Sequence, residues 1–256
     1  MSHLISPGPR PGPASPPAAG LGLGVPGWGH PLVAPVEWGE LTRSGTPVHW
    51  AVLDVARGPG SCPDPYCAAA VARLRVAGVR VLGRLDVRFG TRPFGELVSD
   101  AGRYLDWYRP DGFYLDRCPS ERPGLAEVHR IVTTLRALRG GAFTVLGQDT
   151  HPYEEYAEIA DQLVTFRGRW ADYRWSQVAE WTAGYPPERF CHLVHGVPRP
   201  HLDEALRIAR WQGAGTVFFT DRTTRPGQRS DSAALWETLP GHWDDFVSRI
   251  GPCVME

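Results

Sequence analysis

No stretch of this chain approaches the roughly 18 uninterrupted apolar residues that a membrane-spanning helix needs. The basic excess of a nucleic-acid surface is missing as well. Lys and Arg number 27 against 28 Asp and Glu, for a formal net charge of -1, so no general attraction to phosphate is built in. The five cysteines, Cys62, Cys67, Cys118, Cys191 and Cys253, contain no CxxC pair. An odd number at these spacings argues against a disulfide framework and a zinc site, and it fits a reducing compartment. No GxGxxG follows the first apolar run and no P-loop occurs, so nucleotide binding lacks its usual signature. No metal ligand set and no cofactor signature is visible. The opening MSHLISPGPRPGPASPPAAGLGLGVPGW is rich in Pro, Gly and Ala and has no basic n-region followed by a solid apolar h-region. It predicts a disordered arm over residues 1–28 and a cytoplasmic protein, or a secreted one if the start codon is misassigned.

From about residue 29 to 256 the pattern is that of one domain. Apolar runs recur as PLVAP (31–35), HWAVLDV (49–55), VRVLGRLDV (79–87), GFYLD (112–116), FTVLGQD (143–149), QLVTFRG (162–168), CHLVHGV (191–197) and GTVFFTD (215–221). They are short, rich in Val, Leu and Phe, and mostly without clean alternation, which is how strands buried on both faces read. Amphipathic stretches lie between most of them. DPYCAAAVARLRVAG spaces its apolar residues for a helix and stops on Gly78, a C-cap residue. FGELVSDAGRYLDWYRP, LAEVHRIVTTLRALRGG and HLDEALRIARWQGAG behave alike, and SDSAALWETLPGHWDDFVSRI (230–250) reads as a closing helix. Eight buried strands with intervening helices predict right-handed parallel crossovers and a single (β/α)8 TIM-type barrel.

The charges fall at the strand ends. Asp54, Asp86, Asp116 and Asp149 close or follow runs two to five, Arg167 and His195 runs six and seven, and Asp221 run eight. In a (β/α)8 barrel those ends share one mouth, where active sites are built. Asp116 is the leading candidate, because apolar residues precede it and RCPSERPG after it resists helix formation. Polar residues at strand ends also cap helices and form turns, and Asp54, Asp149 and Asp221 suit that role too. His192 and His195 lie three apart on a strand, so they face opposite sides and make no metal pair. The aromatic segment RWADYRWSQVAEWTAGYPP offers Trp170 and Tyr173, which either stack on a sugar ring or fill a small core under the loop.

AVLDVARGPG, GVRVLGRLDVRFGTRP, YLDWYRPDGFYLDRCP, YAEIADQLVTFRG and TVFFTD, in this order, resemble the spherulin-4 (spherulation-specific family 4) proteins from about residue 30 to 248. The resemblance implies a (β/α)8 barrel and kinship with glycoside hydrolases related to endo-α-1,4-polygalactosaminidases, hence a carbohydrate ligand such as an amino-sugar polymer. The family's strand-four motif implies Asp followed by Glu or Gln; here Asp116 is followed by Arg117. Its strand-six motif ends in Phe-Glu; here Phe166 is followed by Arg167. Gly147-Gln148-Asp149 stands where an Asn-Pro-Gly turn is usual, and Asp54-Val55 where Asn-Pro is common.

Glycoside hydrolysis usually uses two carboxyl groups about 5 to 9.5 Å apart. Arginines at both expected Glu positions stay charged and donate no proton at neutral pH. Bases beside Asp116 would hold it ionised. Three functions follow: a sugar-binding pseudoenzyme with weak or no hydrolysis; an active glycosidase in which Asp116 works with Asp86, Asp149 or Asp221; and a docking partner of polysaccharide synthesis. In the binding reading Asp54, Arg117, Arg167, Trp170, Tyr173 and His195 contact the ligand, and the two arginines suit an anionic group.

Overall fold

In the computed structural model the described residues are 20–27, 29–223 and 235–250. Eight strands, β1 (Gly22–Val25), β2 (Val48–Leu53), β3 (Arg80–Asp86), β4 (Gly112–Asp116), β5 (Phe143–Gly147), β6 (Gln162–Arg169), β7 (Phe190–His195) and β8 (Thr216–Thr220), form a closed parallel barrel in chain order, with β8 pairing back to β1. The helices are α1 (Pro35–Glu40), α2 (Pro65–Val76), α3 (Phe94–Trp107), α4 (Leu125–Leu138), α5 (Tyr156–Ile159), α6 (Trp170–Tyr173), α7 (Leu202–Trp211) and α8 (Trp243–Ile250). The predicted (β/α)8 architecture is present. No helix among the described residues is long and apolar enough to cross a membrane.

Two boundaries depart from the sequence reading. The first strand is Gly22–Val25, inside the expected 1–28 arm, while PLVAP forms a turn into α1 with Pro35 as its first residue. Proline has no N–H for a ladder but suits the first helical position, and Leu32 and Val33 lie exposed. β1 escapes a pattern search because Gly22 and Gly24 carry no side chain. A Cβ there would strike His49 and the Trp50 indole, so only glycine lets these neighbours approach. The closing helix is likewise shorter than 230–250: residues 224–234 lie outside the described residues, 235–242 are non-α, and the α-helix is Trp243–Ile250.

The barrel interior is filled by side chains rather than left as a pore. Trp50 Nε1 donates to Gln162 Oε1 at 2.7 Å, and Gln162 Nε2 donates to Thr216 Oγ1 at 2.9 Å. Tyr114 packs against Trp50 with ring centroids 5.9 Å apart. Each buried polar group in this layer thus has a partner, as a dry interior demands. Outward-facing residues meet the helices: Gly83 lies against the Tyr104 ring of α3, where a Cβ would come within 2.9 Å. With Gly83 facing out, alternation sends Arg84 and Asp86 inward.

Candidate functional site at the barrel mouth

Above the Trp50–Gln162–Thr216 layer the interior turns charged. Arg84, from within β3, reaches two carboxylates: Nη1 is 2.6 Å from Asp54 Oδ2 and Nη2 is 2.5 Å from Asp116 Oδ2. Arg167, from β6, places Nη1 3.2 Å from Asp116 Oδ1 and 3.4 Å from Asp149 Oδ2, and donates from Nη2 to the Tyr114 hydroxyl at 3.0 Å. Asp116 therefore sits between two guanidiniums at 5% exposure. Burial alone would push its carboxyl pKa up, but Arg167 and Arg84 outweigh that and hold it below the ordinary carboxylate range. Burial lowers both guanidiniums, but Asp116 and Asp54 outweigh it at Arg84, and Tyr114, Asp149 and Asp116 at Arg167, so both lie above their usual values. The chain has no lysine, so every fixed cation here is a guanidinium that keeps its proton.

A register shift explains Arg167's position. Gln162 points inward, and strict alternation would send residue 167 outward. The β6–β7 pairing slips between Val164 and Phe166. Thr165 then bonds outward-facing His192 Nε2 at 3.1 Å, and Phe166 packs on Tyr173 at 4.7 Å. A bulge of this kind re-aims the side chains after it, and here it turns Arg167 into the mouth.

The remaining strand-end residues divide into two groups. Asp54, Asp86, Asp116 and Asp149 gather as the sequence suggested. Asp54 Oδ1 also accepts from Gly58 N–H at 2.8 Å, so it serves its loop as well. Arg117 does not flank the Asp116 carboxyl. It forms a two-pronged pair with Asp86, with Nε 2.9 Å from Oδ1 and Nη2 against Oδ2. The second base on Asp116 is Arg84, which the sequence reading missed; a charged residue inside an otherwise apolar strand was the available signal. Both Arg117 and Arg167 are thus engaged by protein carboxylates. Asp221 is exposed and accepts from Gly241 N–H at 3.0 Å, tying down the loop after β8 and taking no part in the mouth network. Trp170 and Tyr173 are buried outside the barrel wall, where Tyr173 bonds His192 Nδ1 at 2.8 Å and Trp170 packs against His201. They form the small core that a long loop needs, away from the mouth charges.

His195 faces the mouth side, opposite to His192. It is 1% exposed, and neither ring nitrogen has a hydrogen-bond partner among the described residues. Burial, then Arg169, lower its pKa, so the imidazole is neutral at pH 7. Trp236 covers it, with centroids 6.1 Å apart, and lies 5.9 Å from the Arg167 guanidinium. Sequence reasoning missed Trp236 because it had been assigned to a helix.

Backbone strain concentrates at the same end. Six non-glycine residues among those described have positive φ, and Arg57, Arg88, Phe89, Arg117 and Asp149 belong to the loops after β2, β3, β4 and β5. Each such residue costs about 1–3 kcal/mol and persists only where its surroundings over-determine it, a frequent property of functional sites.

Among the described residues, the grouping to consider for a metal is His30, Asp64 and Cys67, whose donor atoms lie within 4.8 Å of one another. Asp64 already caps α2 by accepting from Tyr66 and Cys67 N–H, and a helix N-terminus opposes a cation. The mouth itself offers carboxylates that are all engaged by arginines.

The family model for spherulation-specific family 4 matches residues 25–250. Spherulin-4 of Physarum polycephalum is 22% identical over 182 residues, covering 67% of this chain and 54% of that protein, so the chain spans about half the length of this relative. The crystal structure of Aspergillus clavatus Sph3 in complex with GalNAc superposes with a TM-score of 0.75 at 23% identity, over 91% of this chain and 98% of that one. The glycoside hydrolase domain of PelA from Pseudomonas aeruginosa gives a TM-score of 0.49 at 14% identity, over 78% and 95% of the two chains. The family model spans β2 to β8 and the ring of charges they carry, and the chain belongs to spherulation-specific family 4.

Proposed function

We propose that this protein binds a galactosamine-containing polysaccharide at the barrel mouth and hydrolyses it weakly or not at all. The observation that carries this reading is the state of Asp116. The family resemblance puts a key acid at this position, yet two guanidiniums keep it ionised. An ionised carboxylate can orient a hydroxyl or attack an anomeric carbon, but it cannot protonate a leaving oxygen. Arg167 stands where the family pattern has its second carboxyl and cannot act as the acid. The structure of the relative Sph3 with GalNAc suggests the sugar class.

An active glycosidase is the second reading, and one distance favours it. Asp116 Oδ1 and Asp149 Oδ2 share one nitrogen of Arg167, at 3.2 and 3.4 Å. That leaves the two carboxylates close enough for a pair that works at about 5 to 9.5 Å. Both are held by the same cation, however, and the acid role stays unfilled. The test is direct. Acetylated and de-N-acetylated galactosamine oligomers are incubated with the protein, release of reducing ends is followed, and binding is measured in parallel. Binding without turnover is expected. Turnover that Asp116→Asn abolishes would establish the glycosidase, and absence of any oligomer binding would overturn the sugar-binding reading.

A further inference from the structure

A concavity of about 560 Å³ opens between the β5–β6 and β6–β7 connections, outside the charged mouth. Its walls carry three carboxylates, Glu154, Glu155 and Glu158, and three aromatic rings, Tyr153, Trp181 and Tyr185, and no basic residue lines it. Two bases lie nearby. Arg189 donates to the Ala157 and Ala160 carbonyls, while Arg122 lies over the Tyr153 ring at 5.4 Å and so borders this wall as a single cation against three carboxylates. The rings are held in place. Trp181 meets Tyr185 edge-on at 5.8 Å and His151 at 6.4 Å, and rests against Phe190 at 5.7 Å. The Tyr185 hydroxyl donates to Glu158 Oε1 at 2.7 Å. A rigid aromatic wall beside an excess of carboxylates is complementary to a ligand with an apolar face and a positive charge.

The groove and the mouth share the β5–β6 connection. Asp149 belongs to the Arg167 cluster, while Pro152 and Tyr153, three and four residues on, form the groove wall. The Tyr153 N–H donates to Ser120 O at 2.9 Å, which fixes this wall to the loop that follows Asp116. We propose that the groove is an outlying subsite for a protonated, amine-bearing sugar unit of a polysaccharide whose neighbouring units occupy the mouth. This rests on the sugar-binding reading and adds a preference: free amines over N-acetyl groups, supplied at a place separate from Asp116. The aromatic wall receives the apolar face of the hexosamine ring, and the glutamates receive its ammonium.

The full chain is titrated calorimetrically with fully de-N-acetylated and fully N-acetylated α-1,4-galactosamine oligomers of equal length, at low and high salt. Wild type is expected to bind the amine oligomer more tightly, with the advantage shrinking as salt rises. The double substitution Glu154→Gln with Glu158→Gln is isosteric at exposed positions and keeps an acceptor for Tyr185. It should weaken the amine oligomer by about three- to tenfold and leave the acetylated one unchanged. No loss, or equal loss for both oligomers, overturns the subsite. Asp116→Asn separates the two readings. If it weakens both oligomers while the glutamate variant is silent, the mouth stands and the groove falls. If only the glutamate variant has an effect, the groove stands and the mouth falls. If wild type binds neither oligomer, both fall.

Discussion

Arg84 and Asp116 face each other from adjacent strands, with 2.5 Å between Nη2 and Oδ2, and this pair sets the charge state of the mouth. Asp116 is nearly sealed from water, so its ionised form survives because Arg84 and Arg167 face it from two sides. Replacing Arg84 with Met keeps much of the side-chain volume and removes one of the two charges. Breaking a buried pair costs about 3–5 kcal/mol. Because Arg167 remains, Arg84→Met should fall at the lower end of that range in urea unfolding at pH 7. The Asp116 pKa should rise, since burial is then opposed by one guanidinium instead of two. A loss below about 1 kcal/mol would mean that solvent, not Arg84, satisfies Asp116.

The pH dependence of stability carries a signature from His192. Burial, then His151, hold its pKa at about 3, whereas an unfolded histidine titrates near 6.5. A group with a lowered folded pKa binds fewer protons in the native state than in the unfolded state over the interval between the two values. Its contribution is therefore free of penalty above about pH 6.5, and stability falls as pH drops from there toward 3, by about 1.4 kcal/mol for each unit crossed. Asp116, also lowered, adds its own loss only below the unfolded carboxylate value of about 3.9. Denaturant midpoints measured between pH 7.5 and 4.5 should decline for wild type and decline less for His192→Gln. Parallel slopes would show that His192 is hydrated in the native state.

Trp236 covers both His195 and Arg167. Trp236→Ala should cost about 3–5 kcal/mol, as large aromatic truncations do, and it should also uncover the imidazole. The His195 pKa, lowered chiefly by burial, should then move up toward about 6.5 in an NMR titration. Trp236→Phe should keep more of the stability and leave His195 closer to its native value. An unmoved His195 in the alanine variant would assign its burial to other groups.

Much of this arrangement was readable in the chain and some was not, for identifiable physical reasons. Asp54, Asp86, Asp116, Asp149, Arg167 and His195 announce themselves as polar residues closing apolar runs, and parallel barrel topology gathers such positions. Arg84 lies inside VRVLGRLDV, and its partner choice depends on which neighbours alternation aims inward. Gly22 and Gly24 hide β1 because their strand is defined by what packs over them. Arg117 looks like a neighbour of Asp116 in sequence, but its positive φ of 52° turns it to Asp86. Trp236 reaches the mouth through a loop, and loops carry no periodicity.

The arginine in place of the second carboxyl can be tested by reversal. Arg167→Glu removes one of the two cations on Asp116 and sets a carboxyl beside Asp116 and Asp149. Like charges at close range raise one another's pKa, and one of the three would carry a proton near neutral pH. Arg84 would still hold Asp116 ionised, so the site would contain a proton donor beside a charged carboxylate, the combination that glycoside hydrolysis uses. Slow release of reducing ends from galactosamine oligomers is expected from Arg167→Glu and not from wild type or Arg167→Gln. It should come with a stability loss of about 3–5 kcal/mol from the broken buried pair. Arg117→Glu should produce no such gain, because its side chain would meet Asp86 instead of Asp116. If Arg167→Glu folds, binds the oligomer and shows no turnover, then the guanidinium at 167 is not what silences the site, and the geometry of Asp116 toward the sugar is at fault instead.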